Sequence, residues 1–225
     1  MPTSSLDFLH QPAALALVLG LATLVPFAFM ALTAFVKIST VLQIVKGALG
    51  VQSVPSNSIV IALAAALTFL AMAPVGTRIV DQASPLVARG VPDSIQGARE
   101  LWHAIGDPMR DFLRANASPK EKQRFFDLAR KARPAAQQAQ VTAEDWVVLV
   151  PSFVITELIE AFALGFLIYL PFLVIDLVIS NVLLSLGMQL LTPTQVSLPF
   201  KLLLFVAIDG WGLIAQALVT GYQVS

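Results

Sequence analysis

Apolar residues gather into runs at about 13–36, 58–75, 147–170, 171–191 and 202–219, and a polar stretch, 76–146, separates the second run from the third. Some twenty apolar residues at about 1.5 Å of helical rise each match the ~30 Å hydrocarbon core of a bilayer. Trp146 to Leu191 would be about 69 Å long as one helix. Pro171, which removes an interior backbone hydrogen bond, is the expected division into a hairpin or a sharply kinked pair, so four or five spans fit the pattern. The polar stretch also has helix signals. Asp107 before Pro108 reads as an N-cap followed by the first helical residue. Ser118 to Glu121, SPKE, is a capping box with Pro119 at the first helical position, opening a helix to about Arg133, before Pro134. Thr142 to Asp145, TAED, caps the start of the third apolar run. No stretch alternates as a strand does. The expected fold is all-α, built of polytopic membrane-type helical hairpins. It divides into a tail with two apolar helical segments (1–75), a polar helical insertion (76–146), and a C-terminal apolar region (147–225).

Composition sharpens this picture. With 57% hydrophobic and only 12% charged residues and a mean hydropathy of +0.80, the chain is unlike a soluble domain, whose charged share is about a quarter. Zero net charge and the lack of a basic cluster leave nothing to support nucleic-acid binding. There is no cysteine, hence no disulfide, thiolate metal site or cysteine nucleophile. The first apolar run follows no Lys or Arg and has no convincing small-residue cleavage site, so it is expected to be a retained helix rather than a removed signal peptide. Eleven of the fourteen Lys and Arg lie in 76–146, a region too long to weigh in the positive-inside rule. The short loop expected after the first run holds Lys37 and Lys46 while the tail before it holds no Lys or Arg. That bias places the loop in the cytoplasm, the N-terminus outside, and 76–146 in the periplasm.

The few charges inside or beside the apolar runs are Lys37, Lys46, Glu157, Glu160, Asp176, Lys201 and Asp209. A charge at bilayer depth costs roughly 2.5–3.5 kcal/mol on insertion scales, so such residues face protein or water and pair. Glu157 and Glu160, three apart, share one helical face. Lys37 and Lys201 are the available cations, and the carboxylates are expected to meet them across helix or subunit contacts. The competing explanation is snorkelling to water, which suits the lysines at run ends better than the short side chains of Glu157 and Asp176. Ala62 and Ala66, with Gly47 and Gly50, would permit close helix approach, though small residues are common in membrane helices. Catalytic chemistry finds no foothold. Asp209 sits in AIDGW, which is not the context of an intramembrane aspartyl protease. His10 and His103 lie in the tail and the polar stretch, and neither an HExxH motif nor a phosphate-binding glycine loop is present. No enzyme activity, metal or cofactor is expected.

Three stretches carry a resemblance. VQSVPSNSIVIALAAALTFLAMAPV presents Gln52, Pro55, Leu67-Thr68-Phe69, Met72 and Pro74-Val75 in order. The second is PSFVITELIEAFALGFLIYLPFLVIDLVISNVLLSLGM, and the third SLPFKLLLFVAIDGW. Together they resemble the SctR/FliP family, the export-gate subunit of type III secretion systems, over nearly the whole chain except the first dozen residues and about 115–140. The resemblance implies a homopentamer joined by small SctS-like and SctT-like membrane proteins into a helical cone. That cone would work beside SctU-like and SctV-like components in the bacterial inner membrane, surrounded by lipid but lying largely on the periplasmic side within the basal body. Unfolded secreted proteins would pass through its pore. The resemblance further implies inter-subunit salt bridges at Lys37, Glu157 and Lys201; Glu160, Asp176 and Asp209, set in or beside the apolar runs, are expected as further buried ionisable groups. It implies a constriction at Met188, Gln189 and Leu190, where the family carries three methionines and this chain keeps one; five copies of Leu190 would still form an apolar ring. The short N-terminal region points to the virulence-type (injectisome) branch rather than the flagellar one. The rival reading is an ion-coupled secondary transporter using Glu157, Glu160 and Asp176 near Gly165 and Pro171. The short chain without an internal repeat speaks against it.

Overall fold

A computed structural model describes residues 12–51, 55–90, 94–188 and 190–223. These form eight α-helices: α1 (Pro12–Leu32), α2 (Phe35–Leu49), α3 (Asn57–Val87), α4 (Ile95–Asn116), α5 (Pro119–Lys131), α6 (Trp146–Ser185), α7 (Pro193–Ala207) and α8 (Gly210–Thr220), with a 3₁₀ turn at Ala135–Gln140. No strand occurs among the described residues. The all-helical fold expected from the sequence is therefore the fold observed. Two helices, α3 and α6, are long and apolar enough to cross a membrane, and there are up to four spans if each bent pair, α1–α2 and α7–α8, is taken as one.

Several boundaries differ from the sequence pattern, and each difference has a physical reason. Lys37 and Lys46 do not lie in a loop. The chain bends by 72° after α1 and continues directly into α2, which carries both lysines. At the bend the Thr33 hydroxyl donates to the Phe29 carbonyl at 2.6 Å and accepts from the Phe35 N–H at 3.3 Å, replacing backbone partners. Since Lys37 belongs to a packed helix, its charge no longer reports which side of a membrane a loop occupies.

Pro171 does not divide the long apolar run. α6 passes through both Pro151 and Pro171 as one 40-residue helix, about 60 Å long. In apolar surroundings no water takes up freed carbonyls, and an intact helix with one missing bond is favoured over a broken one. The division falls instead in the last run, where α7 and α8 meet at 58° around Asp209, whose backbone is left-handed (φ 52°). Likewise Asp107 does not start a helix. α4 begins at its N-cap Ser94, whose hydroxyl accepts from the Gly97 N–H at 3.1 Å, and runs through Pro108, while Asp107 pairs along the helix with His103 and Arg110, each at 3.2 Å. The SPKE signal opens α5 at Pro119, with Ser118 accepting from the Glu121 N–H at 3.3 Å, but the reciprocal half of the capping box is absent: the Ser118 N–H donates to Thr156 at 3.0 Å and the Glu121 carboxylate pairs with Arg124. In TAED the N-cap residue of α6 is Asp145. Its carboxyl is held below the usual range chiefly by the Thr142 hydroxyl, which donates to it at 2.7 Å.

α2 is the central strut. Ile38, Val41, Leu42 and Val45 are fully buried, and α2 runs alongside α6 in the same direction, so that Lys37 meets Glu157 and Ile44 lies against Gly165. α7 and α8 return antiparallel along α6, with the Phe205 ring tilted against that of Phe172 and Tyr222 reaching back to Glu157. α4 closes the other side through Phe112, which packs on Phe153 and Tyr222. The small residues that matter are not the expected ones. Ala62 and Ala66 are exposed, Gly50 (φ 76°) is the left-handed cap of α2, and the tight helix approach is at Gly165.

Candidate functional site

Two charged clusters lie inside this apolar framework. The first joins α2, α6 and the segment after α8. Lys37, 5% exposed, places Nζ 2.9 Å from Oε1 of fully buried Glu157 and 2.7 Å from Oε2 of Glu160. The approach to Glu157 Oε1 lies off a hydrogen-bond direction, so attraction of charge rather than a directed bond carries it. The other Glu157 oxygen accepts from the Tyr222 hydroxyl. The Ala34 carbonyl is 3.2 Å from the same hydroxyl; a phenol has one proton to give, and the charged carboxylate is the stronger acceptor. The Lys37 ammonium also sits 4.4 Å from the Tyr222 ring centroid, a favourable place for a cation. One lysine thus answers two carboxylates. The member of the group that opens to the outside is Glu160, whose side chain is 51% exposed.

The second cluster joins α2, α6 and α7. Lys201, 2% exposed, reaches Asp176 Oδ2 at 2.6 Å and donates to the Ala48 carbonyl at 3.2 Å. That carbonyl belongs to the last turn of α2, where the helix dipole is negative and a cation is stabilising. Ser197 donates to the other Asp176 oxygen at 2.5 Å. Each cluster therefore pins α2 to its neighbours, one at its start and one at its end.

Of the sequence-derived residues, Lys37, Glu157 and Glu160 come together, and Lys201 joins Asp176, all within a single chain. The expected burial of the other carboxylates is not observed: Glu160 is exposed and Asp176 half-buried, because each sits at the rim of its cluster, and Asp209 stands apart, exposed at the α7–α8 bend and without a cation in range among the described residues. Met188 and Leu190 lie at the tip of the α6–α7 hairpin, after Gly187 (φ 72°) has ended α6; Leu190 is 100% exposed. Gln189 falls outside the described residues. Tyr222 was missed by sequence reasoning. It belongs to no motif, and only knowledge of what Glu157 touches would have singled it out. Among the described residues no three His, Asp or Glu side chains gather as a metal site. The grooves between α6 and the α7–α8 arm are lined by apolar residues such as Ile168, Leu213 and Ile214.

Comparison with known proteins follows the same outline. The profile of the FliP family matches residues 18–218. The chain is 42% identical over 200 residues to "Hypersensitivity response secretion protein HrcR" of Ralstonia nicotianae, covering 89% of this chain and 92% of that protein. It is 40% identical over 209 residues to "Yop proteins translocation protein R" of Yersinia pestis, covering 92% and 95%. "Flagellar biosynthetic protein FliP" of Cereibacter sphaeroides is 42% identical over 221 residues, 98% of this chain and 70% of that protein.

Proposed function

The chain belongs to the FliP family, and on that premise we propose that it is a core subunit of a type III secretion export gate, forming the pore through which unfolded substrates leave the cytoplasm. It works as a structural component, not an enzyme, in the bacterial inner membrane. Five copies assemble with SctS-like and SctT-like small membrane proteins, next to SctU-like and SctV-like components. In this arrangement 76–146 faces the periplasm. The virulence-type branch is preferred, in keeping with relatives whose names refer to the hypersensitivity response and to Yop translocation.

The observation that carries this reading is the pairing of the deep charges. Glu157 and Asp176 are held by Lys37 and Lys201; the grooves between α6 and the α7–α8 arm are apolar, and the groove at the end of α2 is lined by Thr192, Thr194 and Gln195 but holds no further charge. A transporter would need these carboxylates on a wet path where they can take up and release an ion. Here they brace α2 against α6 and α7. Because Lys37, Glu157 and Lys201 are engaged inside one chain, they set the register between copies by fixing the shape of each, and Glu160 is the member of the cluster left facing outward.

The hairpin tip is the constriction. Met188 and Leu190 are exposed there, and a ring of such apolar side chains closes a pore by excluding water. Replacing Met188, Gln189 and Leu190 together with glycine should leave assembly intact and let small dyes or ions leak through the particle reconstituted in liposomes. A triple variant that assembles and stays tight would remove these residues from the gate.

A further inference from the structure

We propose that the outward stripe of α8, formed by Asp209, Gly212, Gln216 and Thr220, docks a membrane helix of a different chain that carries a lysine or arginine opposite Asp209. This rests on the export-gate reading for the existence of partner membrane proteins and adds which surface takes one of them and by what chemistry.

The four residues are all exposed and recur at helical spacing, so they line one side of α8, while Gly210, Ile214 and Leu218 bury the opposite side. The surroundings are apolar: Leu203, Val206, Ile208 and Leu213 are exposed nearby in sequence, Val206 by 75%. A carboxylate and an amide on such a surface are unfavourable against lipid unless partners satisfy them. Asp209 does not spend its charge locally. It occupies the N-cap position of α8 yet makes no cap hydrogen bond, and among the described residues it has no salt bridge. Its carboxylate fills the space that a Cβ at Gly212 would take, so glycine there makes room for the acid on this outward side of α8. One turn further, Gln216 offers both a donor and an acceptor. Asp209 and Gln216 are seven residues, two turns, apart on one side. The matching helix therefore carries its basic residue and a hydrogen-bonding polar residue at the same spacing.

The cation comes from a different chain because the lysines of this chain's own apolar helices are engaged. Lys37 and Lys201 are buried in ion pairs, and Lys46 donates to Asn57 at 2.7 Å. The remaining basic residue of a long apolar helix, Arg78 of α3, is half-buried and lies past that helix's apolar part.

The test uses the full chain, co-expressed with SctS-like and SctT-like small membrane proteins, with a photo-crosslinking amino acid at Leu213. The expected crosslink falls on a helix of a co-purifying different chain, within about one turn of a Lys or Arg. Asp209→Asn keeps a residue that tolerates the left-handed backbone and removes only the charge; it should lower partner recovery about tenfold or more. Asp209→Lys should abolish recovery, and changing the partner's basic residue to Asp should restore it. The proposal is overturned if both variants recover partner at the unmodified ratio, if the crosslink falls on a second copy (near Arg78 or elsewhere), or if it captures lipid alone. If the unmodified chain recovers no partner at all, the export-gate reading fails and this inference falls with it. Normal recovery that ignores Asp209 sinks this inference alone.

Discussion

Replacing Lys37 with methionine should destabilise the chain by about 3–5 kcal/mol, the cost of stranding a buried charge. Glu157 is fully buried. Without the ammonium 2.9 Å away it keeps only the Tyr222 hydroxyl, and Glu160 on the same helical face becomes an unanswered like charge. The cation over the Tyr222 ring is lost as well. In a particle of this size the thermal midpoint in mild detergent should fall on the order of 10 °C. Two further variants give the effect its identity. Glu157→Gln keeps a group for Tyr222 to bond and leaves Lys37 with Glu160, so it should cost clearly less. The pair Lys37→Met with Glu157→Leu replaces the buried ions by apolar groups and should recover most of the loss. Equal damage from the single and double variants would mean that packing, not charge, holds this junction.

Gly165→Leu should be the most damaging change that touches no charge. A Cβ at position 165 would lie 2.5, 2.9 and 3.2 Å from Cδ1, Cγ2 and Cβ of Ile44. Rotation of Ile44 can move Cδ1, but Cβ is fixed to the α2 backbone, so the two helices must part. Overpacking of this kind costs about 1–3 kcal/mol, and more as the inserted side chain grows. Gly165→Ala recovers some of that through better helix propensity, up to about 1 kcal/mol, so alanine should be mild and leucine severe. Because Glu157 lies two turns before Gly165 on α6, parting the helices also lengthens the Lys37–Glu157 pair. Ile44→Ala should rescue Gly165→Leu in part. Thermal midpoint and protease resistance report both, and unchanged behaviour of Gly165→Leu would contradict the close approach of α2 and α6.

The sequence announced the helical class, the SPKE helix start and the need of Glu157, Glu160 and Asp176 for cations, since each depends on local pattern or on the cost of a charge among apolar residues. It was silent on what depends on tertiary context. Lys37 and Lys46 interrupt hydropathy and so looked like a loop, yet α2 is a well-packed helix whose lysine finds its counter-charge more than a hundred residues away. Pro171 and the Asp107-Pro108 pair carry breaker signals learned from helices in water. In α6 the helix persists through Pro171 amid apolar residues, in α4 it persists through a buried Pro108 while Asp107 pairs along the helix with His103 and Arg110, and the real break, at Asp209, is marked only by flanking Gly210 and Gly212. Gly210 is needed because the Phe205 ring occupies the space of a Cβ there, 2.3 Å away. Tyr222 and the Asp176–Ser197–Lys201 group follow from the return path of α7 and α8 along α6, which no local pattern encodes.

The most direct measurement is the native mass of the particle extracted in mild detergent, from this chain expressed alone and then with its neighbouring small membrane proteins. The export-gate account predicts one particle holding five copies of the 24.1 kDa chain that grows when the partners are present. A stable monomer or dimer that gains nothing from them would contradict it, and Glu160 and Asp176 would return as candidate ion-binding groups of a transporter.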